Sequence, residues 1–99
     1  MKLAVFLSDL RRTEDTYDRL KADKLGVILV ENGVYHAVIK EGGKDSPVLN
    51  KTGASFYALS DDLETRGFTA SQVNPKVKVV SYGDIVDLIM NEYEKTAWL

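Results

Sequence analysis

The sequence predicts one α/β domain, a three-layer α/β/α arrangement around a mainly parallel sheet of four or five strands. Three observations lead there. The chain has 99 residues, 44% of them apolar, which suits a single core and leaves no room for a second. Short, nearly all-apolar runs recur, as expected of strands buried on both faces. Polar segments with helix-capping residues follow those runs. Four rounds of strand and helix imply right-handed crossovers and helices on both sheet faces.

The first run, Leu3-Ala4-Val5-Phe6-Leu7, reads as a buried strand. A helix should follow it. Thr13 suits its N-cap, Glu14 and Asp15 its first turn, and Lys21 and Lys24 its end, an order that complements the helix dipole. Gly26 introduces Val27-Ile28-Leu29-Val30, the strongest strand signal in the chain. After Glu31-Asn32-Gly33, the segment 34–39 lacks clean alternation and is expected as a short helix, with an Asn-Gly hairpin as the rival. Gly42-Gly43 ends it, and residues 44–53 read as a surface loop.

Ser55-Phe56-Tyr57-Ala58-Leu59 is the third strand. Ser60 is expected to cap a short helix that stops at Gly67. Val77, Val79 and Val80 form the fourth strand, and Ser81 with Asp84 resembles a capping box at the start of a helix over about 83–93. On that helix Ile85, Val86, Leu88, Ile89, Met90 and Tyr93 cover an arc wider than a usual core stripe, which calls for a second contact besides the sheet. The apolar pair Trp98-Leu99 also needs a place to dock, in the monomer or on a partner.

Composition removes several function classes. There are 13 basic and 15 acidic side chains, net −2, without a Lys/Arg stripe, so direct nucleic-acid binding is not expected. No apolar run approaches the roughly 20 residues that span a bilayer, and Met1 to Leu7 lacks the features of a secretion signal, so no membrane partner is expected and the location should be cytoplasmic. Zero cysteines exclude thiolate nucleophiles, disulfides and cysteine-ligated metal.

The remaining chemistry gathers where a parallel sheet collects it, at the strand carboxyl ends: Ser8-Asp9, Glu31-Asn32-Gly33, Ser60-Asp61-Asp62 and Ser81-Tyr82. Asp9, Glu31, Asp61 and Asp62 suit a cation pocket on paper, but serving helix N-termini and loops is the better reading for them. Ser8, Thr13 and Thr16 without a glycine make a weak phosphate cradle. The single histidine, His36, suits a surface or packing role better than a general base, and no catalytic residue, metal ligand or cofactor site is expected. Partner contacts are expected at Tyr35, His36, Ile85, Met90, Trp98 and Leu99.

Several segments resemble the DsrH/TusB family in order. Glu31-Asn32-Gly33-Val34-Tyr35 resembles its E-[DN]-G-[VI]-Y element. Tyr57-Ala58-Leu59-Ser60-Asp61-Asp62-Leu63 with Arg66-Gly67-Phe68 resembles Y-[AV]-L-x-x-D-L-x-x-R-G-[LF]. Val80-Ser81-Tyr82, the apolar helix and Ala97-Trp98-Leu99 resemble its closing segments. The resemblance covers about residues 26–99. It implies a DsrEFH-like α/β/α domain that assembles with DsrE- and DsrF-like (TusD- and TusC-like) paralogues into a dimer of heterotrimers. Such complexes pass persulfide sulfur between cysteines, one branch toward 2-thiouridine at the wobble position of transfer RNA, another toward sulfur oxidation.

Some members carry a cysteine on the first helix, near the place of Tyr17 here. Tyrosine cannot hold a sulfane sulfur, so the resemblance implies a subunit that does not carry it. The alternative is a stand-alone homo-oligomer that binds a small ligand or anion at the strand ends, through Ser8, Asn32, Ser60 and helix N-termini.

Overall fold

The computed structural model describes residues 1–8, 22–38, 40–41, 44–51 and 53–99. The helix expected after Thr13, with Asp9, Thr16 and Tyr17, lies outside them. Five strands form one parallel sheet: β1 (Lys2–Leu7), β2 (Lys24–Leu29), β5 (Ala54–Leu59), β6 (Val77–Val80) and β7 (Lys95–Trp98). Their order across the sheet is β6-β5-β2-β1-β7. β3 (Lys40–Glu41) and β4 (Lys44–Asp45) form a separate antiparallel pair, and β4 takes the first two residues of the stretch expected as loop.

The fifth strand answers the docking question for the chain's last residues. Leu3, Ala4, Val5 and Phe6 pair in register with Lys95, Thr96, Ala97 and Trp98, and the Leu99 N–H donates to the Phe6 carbonyl at 2.9 Å. The tail therefore docks within the monomer as backbone. Lys24 corrects another expectation: it opens β2 opposite Lys2 and does not close a helix, and its ammonium pairs with Glu92.

Strand alternation divides the core into two layers. Leu3, Val5, Leu7, Leu25, Val27, Leu29, Phe56 and Ala58 face one side, where Val34, Ala37, Val48, Leu49 and Leu63 cover them. Ala4, Phe6, Ile28, Leu59 and Val80 face the other, against Ile85 and Tyr93. The first side is roofed by 3-10 turns over Glu31–Ala37 and Pro47–Asn50 and by helix α1 (Ser60–Thr65). The second is roofed, among the described residues, by α2 (Tyr82–Asn91) and Tyr93.

Two local expectations change. The segment after β2 is helical but as a 3-10 turn that begins at Glu31, with Val34 and Ala37 buried. Its winding stacks positions three apart on one line, so both side chains reach the core. Ser60 is the first helical residue of α1, not its cap; the N-cap is Leu59, without a side-chain bond. The C-terminus of α1 is as expected. Gly67, at φ +79, donates to the Glu64 carbonyl at 3.0 Å, and Phe68 donates to that of Leu63 at 2.9 Å. That is a Schellman ending, with Leu63 in one core layer and Phe68 packed against that layer.

The longer helix starts as its sequence requires. Ser81 Oγ accepts from the Asp84 N–H at 3.2 Å, and the Asp84 carboxylate accepts from the Ser81 N–H at 3.1 Å. Aspartate thus serves where glutamate is usual. The helix ends at Asn91, two residues short of the expected Tyr93, which follows it and is buried under Gly26.

Candidate functional site

The carboxyl ends of β2 and β5 bring two distant segments into contact. Glu31 adopts φ +49, a left-handed conformation uncommon for a residue with a side chain. Asp62 holds it there by accepting the Glu31 N–H at 2.6 Å. Arg66 completes the clamp: Nε and Nη2 donate to Asn32 Oδ1 at 3.2 and 2.9 Å, and Nη1 to the Asp62 carbonyl at 3.2 Å. The Tyr35 ring meets Phe68 edge-on, 5.5 Å between centroids. Glu31, Asn32 and Tyr35 thus bind Asp62, Arg66 and Phe68 side by side. Each set alone reads as part of a local element; only the folded chain shows them as one structure.

Beside this clamp lies a groove of about 350 Å³ at the strand ends. Phe6, Val30 and Leu59 form its floor, Ile85, Val86 and Ile89 one wall, and Tyr82 and Trp98 its mouth. Its charged lining residues are Glu31 and Asp62. Trp98 stacks on Phe6 at 4.5 Å between centroids and 14° between planes, yet is 62% exposed. Tyr82, Val86 and Met90 are 66%, 51% and 76% exposed. A second groove of about 460 Å³ flanks α2 on the β6 side and is charged, with Lys78, Asp84, Asp87 and Glu92 among its lining.

The residues expected at a partner surface divide in two. Met90 and Trp98 stand open to solvent, and Leu99 is partly buried. Tyr35 is half-buried against Phe68. Ile85 and His36 lie inside the monomer, at 4% and 6% exposure. His36 Nδ1 sits 2.8 Å from Ser46 Oγ, which also accepts the Val48 N–H at 3.4 Å. This buried pair ties the two 3-10 turns together and lines neither groove. Tyr82 and Val86 join Met90 on the open side of the helix at i, i+4, i+8 spacing; sequence places Val86 on the apolar arc and Tyr82 at a strand end, and neither among the expected partner contacts.

Of the expected strand-end polar side chains, Asn32, Asp62 and Ser81 are committed within the fold. Asn32 gives its oxygen to Arg66, and Asp62 serves Glu31. Among the described residues no group of three or more His, Cys, Asp or Glu side chains could hold a metal ion. No helix among them is long and apolar enough to cross a membrane. At the far end of the sheet, burial and the neighbouring Tyr57 hydroxyl push the Tyr93 phenol above its ordinary range. The hydrogen bonds from Ser81, backbone first, hold the Asp84 carboxyl below its own.

Fold and site together define a small parallel α/β domain whose strand ends carry an open apolar groove beside a polar clamp. The chain belongs to the DsrH-like protein family, which matches residues 8–95. It is 35% identical over 72 residues to Protein TusB of Photorhabdus laumondii, with 73% of each chain covered. Over 80 residues it is 35% identical to Protein TusB of Erwinia tasmaniensis, with 81% of each covered. Among solved structures, protein Tm0979 of Thermotoga maritima superposes with a TM-score of 0.61 at 25% identity, covering 90% of this chain and 93% of that one. The ychN protein of E. coli, at 10% identity and full coverage of both chains, has a TM-score of 0.68 and shares the fold.

Proposed function

We propose that this chain is a non-catalytic, cysteine-free subunit of a cytoplasmic sulfur-relay complex that supports 2-thiouridine formation at the wobble position of transfer RNA. Its relatives named TusB support the relay assignment. The observation that carries the subunit's role is chemical. In each relay step a thiolate attacks the outer sulfur of a persulfide, the sulfur–sulfur bond breaks, and the donor cysteine leaves as a thiolate. This chain has no cysteine to take either part. It completes the oligomer around a partner's persulfide cysteine and shapes the surface beside it. The exposed apolar side chains at the strand ends support that role, since apolar and aromatic groups anchor interfaces.

Partners of this kind are DsrE- and DsrF-like paralogues. Co-expression with them, read by native mass, should give a stable complex containing this chain. Sulfur transfer from a persulfide donor onto the partner cysteine is then followed with and without it. Equal transfer in its absence would remove the supporting role, and recovery of the chain only as a homo-oligomer would detach it from the relay.

A further inference from the structure

We propose that the ridge of Tyr82, Val86 and Met90 on α2, with Trp98, docks a helix of a different chain whose apolar ridge is bordered by lysine or arginine. This inference rests on the assembly role above and names the surface and the chemistry of its occupant. A second copy of this chain does not fit there.

The sheet sets the space. Five strands spaced about 4.8 Å apart span roughly 19 Å, while one helix with its side chains covers about 10 Å. Among the described residues α2 is the one helix on this face, and a groove flanks it on each side. The groove toward β6 is charged; the groove toward β7 is the apolar one that ends at Trp98. Positions four apart on a helix form a ridge, and Tyr82, Val86 and Met90 make one about 12 Å long. A ridge beside a groove is what a second helix packs into.

Charge selects the occupant. The groove's charged lining is acidic, Glu31 and Asp62, and Arg66 already engages Asp62. Helix α2 adds exposed Asp84 and Asp87 and carries no basic residue. A two-fold copy centred on Val86 would lay one acidic helix along another, and like charges across an interface are unfavourable. A helix with basic borders would meet Glu31 and Asp87 with opposite charge.

The test uses the full chain and its DsrE/DsrF-like paralogues. Affinity is titrated at low and high salt, with native mass of the chain alone as a second readout. Val86→Glu and Met90→Glu change exposed positions, and circular dichroism checks that each still folds. Each should weaken the complex about tenfold or more, since about 1.4 kcal/mol is a factor of ten. Asp87→Lys should weaken binding at low salt and flatten its salt dependence. Binding by both glutamate variants equal to wild type would overturn the docking surface while leaving the relay role intact. A wild-type homodimer lost in Val86→Glu would overturn the choice of occupant. No complex with the paralogues at any salt would remove the relay reading and this occupant together.

Discussion

At Gly33 the fold leaves room for a hydrogen and nothing larger. A Cβ there would stand 1.9 Å from the Leu7 carbonyl oxygen, a backbone atom that cannot swing away. The Asn-Gly pair therefore marks close packing of the turn on the end of β1, not a hairpin. Gly33→Ala should lower stability by about 2–3 kcal/mol in denaturant unfolding, the upper range for overpacking a tight site. Beside it, Asp62 offsets the left-handed Glu31 by accepting its N–H. Asp62→Ala should cost about 1–3 kcal/mol, while Asp62→Asn, which keeps an oxygen acceptor, should cost less. Equal losses would mean that the charge, not the acceptor, holds the loop. Tyr93 makes an alkaline prediction. Its folded pKa is raised, so the neutral phenol is favoured in the fold. That stability is complete below about pH 10, the unfolded value, and falls as pH rises beyond it. Tyr93→Phe should move the alkaline unfolding transition upward.

At the scale of elements, helix α2 depends on its first turn. The reciprocal bonds of Ser81 and Asp84 satisfy two N–H groups that the helix cannot. Ser81→Ala should cost about 0.5–2 kcal/mol by thermal or denaturant unfolding. The Asp84 pKa is depressed, so its contribution is present above the ordinary carboxylate range and lost as pH falls through the lower, folded value. An Asp84→Asn variant should therefore lose part of the wild-type stability at neutral pH and converge with wild type in strong acid. Both ends of α1 show how local chemistry can be read with unequal success. Gly67 was legible because only a left-handed residue closes a Schellman ending. The start was not, because Asp62, which suits a first turn, reaches across to another element.

For the whole molecule, the sheet order separates what is finished from what is open. The chain reaches β7 from β6 by crossing the entire sheet. The crossing carries α2 over one face and leaves the apolar groove between it and Trp98. Trp98 packs one side of its ring on Phe6 and turns the other outward. Trp98→Ala should cost the isolated chain about 0.5–1.5 kcal/mol for the lost ring stack, and weaken assembly by more. Unfolding and complex titration on the same variant separate the two. Equal losses would make Trp98 a core residue and no more.

The parallel α/β class, the apolar strands, the capping box, the Gly67 stop and the exclusion of thiol chemistry were legible in the residues alone. These rest on local propensity, burial pattern or the presence of a residue type, all of which act over a few neighbours. The sequence also held the ordered motifs that mark the DsrH-like family. Tertiary structure decided that Lys95–Trp98 is a fifth strand, because four residues without alternation carry no signal until β1 offers its edge. It decided that Ile85 and His36 turn inward while Tyr82, Val86 and Met90 turn outward, since helix periodicity defines an arc but not its rotation about the sheet. And it joined Glu31 and Asn32 to Asp62 and Arg66, about thirty residues apart, through bonds that exist only once β2 and β5 lie side by side.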